Sequence, residues 1–212
     1  MAIDDLLDEH EQSERVRNWL KNNGAGLIGG IALGLAVIFG WQWWQKHQVQ
    51  QSMQANLDYQ AVLDSLGAAD LEKAKAAVAK LQGGNAHVYA DLAAMRLAQA
   101  QVDAGKEDAA IVTLRATHAD ASLQPLVDLR LARLLTATGK GEEALKLLGE
   151  ASDSASLEAR GDALMALGKP DQARDLYLKA LTGMDVAAPQ RRLVELKLTD
   201  AGGKPPKPAQ PI

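Results

Sequence analysis

The chain has no cysteine among its 212 residues. That absence excludes a disulfide framework, a thiolate metal site and a cysteine nucleophile, and leaves stability to packing alone. Aromatic residues are scarce, at 4%. Five of them (Trp19, Phe39, Trp41, Trp43 and Trp44) crowd into the first 44 residues, and only Tyr59, Tyr89 and Tyr177 lie beyond. The core of the remaining chain is therefore leucine and alanine. Positive charge is not in excess either: 23 Lys and Arg stand against 27 Asp and Glu, giving a net charge of −4. No nucleic-acid partner is expected, because a phosphate backbone asks for a clustered basic surface. Also missing are a G-x-S-x-G elbow, a phosphate-cradling glycine loop and an i, i+4 histidine pair; His10, His47, His87 and His118 are far apart in sequence. Glu158 and Asp162 read as part of a charged helix face. No catalytic residue, metal or cofactor is expected, and the chain reads as a non-enzyme.

What is present begins with a hydrophobic run hidden by a mean hydropathy of −0.16. Asn22 to Gln45 carry no charge, and Gly24 to Trp44 is an almost unbroken apolar run of 21 residues. At about 1.5 Å per helical residue it reaches roughly 30 Å, the thickness of a bilayer's hydrocarbon core. Trp19 before it and Trp41, Trp43 and Trp44 at its end stand where indole rings settle among headgroups. A cleaved signal peptide would have a shorter apolar region and small residues at that end. One retained transmembrane helix is expected. Arg15, Arg17 and Lys21 precede it, whereas Lys46 is the only base after it until Lys73. The positive-inside rule then puts the N-terminus in the cytoplasm and Lys46 to Ile212 on the far side, the periplasm of a bacterium's inner membrane. Gly26, Gly30 and Gly34 recur every four residues, a spacing that lets two membrane helices approach closely, as in a homodimer; glycine is also simply common in such helices.

Residues 1–21 form an acidic cytoplasmic tail with six acids and three bases. It reads as a short amphipathic helix that either docks a partner or is only a solvated leader. The expected organisation is this tail, a transmembrane helix at 22–45, a soluble domain at 46–199 and a flexible tail at 200–212 holding Pro205, Pro206, Pro208 and Pro211.

The soluble part shows no alternating β-branched run, so an all-α domain is expected. Helices are predicted over 48–66, 70–82, 86–104, 107–118, 123–138, 141–151, 156–167, 170–182 and 188–198. Gly67, Gly105, Gly139 and Gly168 stand where a left-handed residue ends a helix, and Pro125, Pro170 and Pro189 stand near helix starts. A shift of 34 superposes Leu92 on Leu126, Arg96 on Arg130, Ala98 on Ala132, Gly105 on Gly139, Ala110 on Ala144 and Leu114 on Leu148. That is the tetratricopeptide period. A third unit, shorter by five in its connection, carries Gly161, Gly168, Ala173, Tyr177, Ala180 and Leu181. Small residues at Ala98, Ala132 and Gly161, and at Ala110, Ala144 and Ala173, let paired helices approach. Three to four helix pairs are expected, the first of them divergent. The groove-facing positions of such a superhelix are Leu92, Met95, Gln99 and Val102, then Leu126, Leu129, Arg133 and Thr136, then Ala155, Glu158, Asp162 and Met165. This mostly apolar lining lacks the Lys and Asn residues of a carboxylate clamp. It suits a hydrophobic helix or an unfolded segment, unless a neighbouring helix covers it.

The order of parts resembles the YfgM family. The likeness rests on Arg15, Arg17, Trp19 and Asn23-Gly24, on Gly40-Trp41-Gln42-Trp43-Trp44, His47-Gln48 and Tyr59-Gln60, on Leu129-Arg130-Leu131-Ala132-Arg133, and on Arg160-Gly161-Asp162-Ala163-Leu164 with Gly168-Lys169. It extends to about residue 198 and leaves out the Pro-rich tail. The resemblance implies an ancillary subunit of the SecYEG translocon in a Gram-negative inner membrane, working with the periplasmic chaperone PpiD on exported chains. It also implies a regulatory contact of the cytoplasmic tail. A scaffold of another envelope complex would use the same architecture.

Overall fold

The computed structural model describes residues 2–84 and 87–206, with side chains described for 13–84 and 88–206. Within them the protein is all helical. α1 is Ala2–Gly67, α2 Leu71–Gln82, α3 His87–Asp103, α4 Glu107–Arg115, α5 Gln124–Ala137, α6 Gly141–Leu148, α7 Ser154–Ala166, α8 Pro170–Thr182 and α9 Arg191–Asp200. Every predicted helix is found, but α1 holds a surprise: the expected tail helix, membrane span and first repeat helix are one uninterrupted helix of 66 residues. No proline or helix-stopping cap interrupts its sequence between residues 2 and 67. The chain divides into two compact units, 1–53 and 54–212.

α1, most of which forms the first unit, is the one described helix long and apolar enough to cross a membrane, and none of its apolar window is buried in protein. Ile28, Leu33, Val37, Phe39, Trp41 and Trp43 are all exposed, as side chains facing lipid would be. Trp43 stacks on His47 with ring centroids 5.7 Å apart, and His47 is held by Gln51 one turn further on at 3.0 Å.

In the second unit each helix packs mainly on its neighbours in sequence, and α5 also on α7. This is the arrangement of a repeat solenoid. Three clusters fill it: Val62, Ala74, Val78, Leu81 and Leu97 at the start; Met95, Ile111, Leu131, Leu135 and Ala144 in the middle; Leu157, Tyr177, Leu181, Val194 and Leu198 at the end.

The repeat unit is written most clearly in the backbone. After α1, α3, α5, α7 and α9 the chain turns through the same closing bond, from Asp70 N–H to Ser65 O (2.9 Å), Lys106 to Gln101 (2.8 Å), Lys140 to Leu135 (2.7 Å), Lys169 to Leu164 (2.9 Å) and Gly203 to Leu198 (2.8 Å). Each is the six-to-one bond of a Schellman turn, which needs one left-handed residue. Gly105, Gly139, Gly168 and Gly202 supply it, at φ between +69° and +80°. Gly67 does not. It ends α1 within the helix, and the left-handed residue there is Ala69 at φ +56°, a correction to the expected cap. α2, α4, α6 and α8 are thus the second helices of four pairs among the described residues, and α9 is the first helix of a fifth whose second is not found among them. Residues 201–203 belong to this turn: Ala201 is buried and Gly203 lies against Leu198. The boundary expected at 200 therefore falls inside an ordered turn; Pro208 and Pro211 lie outside the described residues.

Candidate functional site

Close helix pairing sets the site's geometry. At Gly161 of α7, a Cβ atom would come within 2.5 Å of the Tyr177 ring of α8. Glycine lets the ring lie flat against the helix backbone, and Tyr177 is among the largest fully buried side chains. Its hydroxyl donates to Asp162 Oδ1 at 2.8 Å. From α9, Lys197 Nζ donates to Asp162 Oδ2 and to Glu158 Oε1, both at 2.7 Å. Arg133 of α5 reaches Glu158 Oε2 at 3.3 Å. Residues 158 and 162 are one turn apart on α7, so two carboxylates share one face and are neutralised by cations from the helices on either side. Burial by itself would lower the Lys197 pKa, but the hydrogen bonds and charges of Asp162 and Glu158 outweigh it and hold the ammonium above its ordinary value. Burial, reinforced by the Asp162 carboxylate, pushes the Tyr177 phenol up as well. These five side chains are linked in one network, which ties α5, α7, α8 and α9 together.

Above it lies a trough of about 770 Å³ lined by Arg133, Thr136, Ala155, Glu158, Asp162 and Lys197, with Met184 and Leu193 at its α9 end. A second cavity of about 350 Å³ lies between α3 and α5, lined by Met95, Gln99, Val102 and Arg133 together with Ala98, Leu114, Arg130 and Leu134. Arg133 lines both.

The groove read from the sequence is thus divided. Met95, Gln99, Val102 and Arg133 come together in the smaller cavity, with Met95 itself 3% exposed and part of the core. Thr136, Ala155, Glu158 and Asp162 line the larger one. Leu92 and Leu129 are half-buried against the middle cluster, Met165 packs on the last cluster, and Leu126 is exposed on α5. Lys197 and Leu193 lie on α9, which the three units read from the sequence do not include. The helix that partly closes the trough is the chain's own, one of the alternatives left open by the sequence. Along α1, a Cβ at Gly26, Gly30 or Gly34 would meet nothing within 4 Å, so that face is bare.

The architecture defines a membrane-anchored tetratricopeptide-like protein. The chain matches the tetratricopeptide repeat-like domain family over residues 17–203. It is 30% identical over 200 residues to the "Ancillary SecYEG translocon subunit" of Escherichia coli strain K12, covering 91% of this chain and 96% of that protein. It is 26% identical over 182 residues to the protein of the same name from Haemophilus influenzae, covering 82% and 89%. For that of Aggregatibacter actinomycetemcomitans it is 23% over 201 residues, covering 92% and 98%. The chain belongs to this tetratricopeptide repeat-like family, and the YfgM resemblance seen in its residues holds across nearly its whole length.

Proposed function

We propose that this protein is an ancillary subunit of the SecYEG translocon, anchored in the inner membrane by residues 22–45. Residues 1–21 lie in the cytoplasm and 46–199 in the periplasm, where the repeat domain links export to a PpiD-like chaperone. The observation that carries this reading is the near end-to-end match to proteins named for that translocon, in a chain that keeps both the apolar helix and the repeats. Orientation follows from Arg15, Arg17 and Lys21 before the span. The repeat domain acts by holding a partner: its troughs are open, and the charged groups of the larger one are engaged in mutual ion pairs. Gly26, Gly30 and Gly34 offer a close-packing face to a membrane helix, of a second copy or of the translocon.

The test is capture of the full chain from its own membrane in mild detergent through a tag at Ile212, with co-purifying proteins identified by mass spectrometry. Translocon subunits together with a periplasmic chaperone are expected, and should be lost when residues 22–45 are replaced by an unrelated span. Clean recovery of another envelope complex would reassign the protein as that complex's scaffold.

A further inference from the structure

The smaller cavity has a character the larger one lacks. Its floor is apolar, made by Met95 and Val102 of α3, Leu114 of α4 and Leu134 of α5. Its rim on α5 carries two guanidinium groups one turn apart, Arg130 and Arg133, and no carboxylate lines it. Arg130 is exposed, and its guanidinium makes no ion pair or hydrogen bond among the described residues. Arg133 is 49% exposed, and its bond to Glu158, at 3.3 Å, is the long one of that carboxylate. Lys197 already satisfies Glu158's other oxygen at 2.7 Å. Of the two guanidinium groups over this apolar floor, only Arg133 has an acid partner, and it shares that one with Lys197.

We infer that this α3–α5 cavity binds an acidic amphipathic helix, with apolar side chains seated on Met95, Val102 and Leu114 and carboxylates on the flanking turn held by Arg130 and Arg133. Charge complementarity fixes the sign of the occupant. A guanidinium favours a carboxylate in a bidentate fork, and two of them a turn apart match acids spaced i, i+3 or i, i+4 on a helix. A volume of about 350 Å³ takes a few anchoring side chains and leaves the rest of the helix outside. An incoming carboxylate competes with Glu158 for Arg133, so Glu158 acts as a built-in weak rival. The inference rests on the proposed partner-holding role of the groove, but not on the identity of the translocon.

The test uses the full chain in phosphatidylcholine nanodiscs and a labelled synthetic peptide of leucine, alanine and glutamate about four turns long, with leucines every three or four residues. The control peptide has lysine in place of each glutamate. Saturable binding of the glutamate peptide is expected, weakened about tenfold or more by Arg130→Gln and by Arg133→Gln. Binding should tighten on Glu158→Gln, which frees Arg133. Arg130 is solvated, so its loss leaves the fold intact, which a thermal melt checks. Equal binding of the lysine peptide, or affinity unchanged in Arg130→Gln, overturns the inference. So does binding only to phosphatidylglycerol vesicles, which would make the surface a lipid site. Peptide binding that survives while translocon co-purification fails would remove the proposed location and keep the groove's chemistry.

Discussion

Gly161 is where one missing methyl group decides whether two helices can meet. Gly161→Ala would drive a Cβ into the Tyr177 ring. The expected cost is about 1–3 kcal/mol of unfolding free energy, read from urea melts, as for other overpacked sites. The spacing of small residues announced a close approach at 161, but not that a tyrosine makes it. Ala69 is the converse case. It holds φ +56° where its four counterparts are glycine, so Ala69→Gly should raise stability by up to about 1 kcal/mol. Nothing marks position 69 in the sequence, since the usual flag residue is absent and only the backbone bonds reveal the turn. Asp153 caps α7 by accepting from Ser156 N–H at 3.0 Å. Burial tends to raise its pKa, but the hydrogen bonds from Ser156 outweigh that and lower it from 3.8. A depressed carboxylate contributes stability above its ordinary pKa and loses it as pH falls through the folded value. Asp153→Ala should cost about 1 kcal/mol at pH 7, while Asp153→Asn should keep the cap and flatten the acid limb of a melting-temperature profile.

At the scale of elements, α9 is held by Val194 and Leu198, both fully buried, and by Lys197. A shift of 34 places Glu195 at the position of Gly161. Glu195 is bonded to Arg191 at 3.1 Å, and Arg191 also donates to Leu181 O and Met184 O. A charged side chain thus stands on α9 where α3, α5 and α7 place a small residue, and no second helix pairs with α9 among the described residues. Removing Lys197 leaves two carboxylates a turn apart with less compensation. Lys197→Ala should therefore speed amide exchange in 191–200, at a cost of about 1–2 kcal/mol for an amine that water partly screens. The raised pKa values of Lys197 and Tyr177 both give stability that is complete below the ordinary values of these groups and lost as pH climbs through the folded ones. Unfolding should thus begin in the alkaline range, above about pH 10, and Tyr177→Phe should weaken that dependence.

For the whole molecule, one helix of 66 residues carries the chain from its acidic start to its first repeat. A periplasm-only reporter fused after Ile212 should be active, and a cytoplasm-only reporter at the same place silent; the reverse would overturn the proposed orientation. Residues 54–212 hold all three core clusters. A chain lacking residues 1–53 should accordingly stay in the aqueous phase and melt cooperatively.

The span, the helix order and the repeat period are local properties, fixed by runs of apolar residues, by glycine and proline punctuation, and by a 34-residue recurrence that any reader of the sequence can count. The continuity of α1 was hidden because a change from lipid-facing to core-facing side chains alters composition without interrupting the backbone. The division of the groove, the engagement of Glu158 and Asp162 with Lys197, and the exposure of Arg130 beside Arg133 were decided only by tertiary structure. Residues 133, 158 and 197 meet because the first helices of successive pairs, α5, α7 and α9, stack side by side, and no periodicity in the chain records which charges that stacking will neutralise and which it will leave facing water.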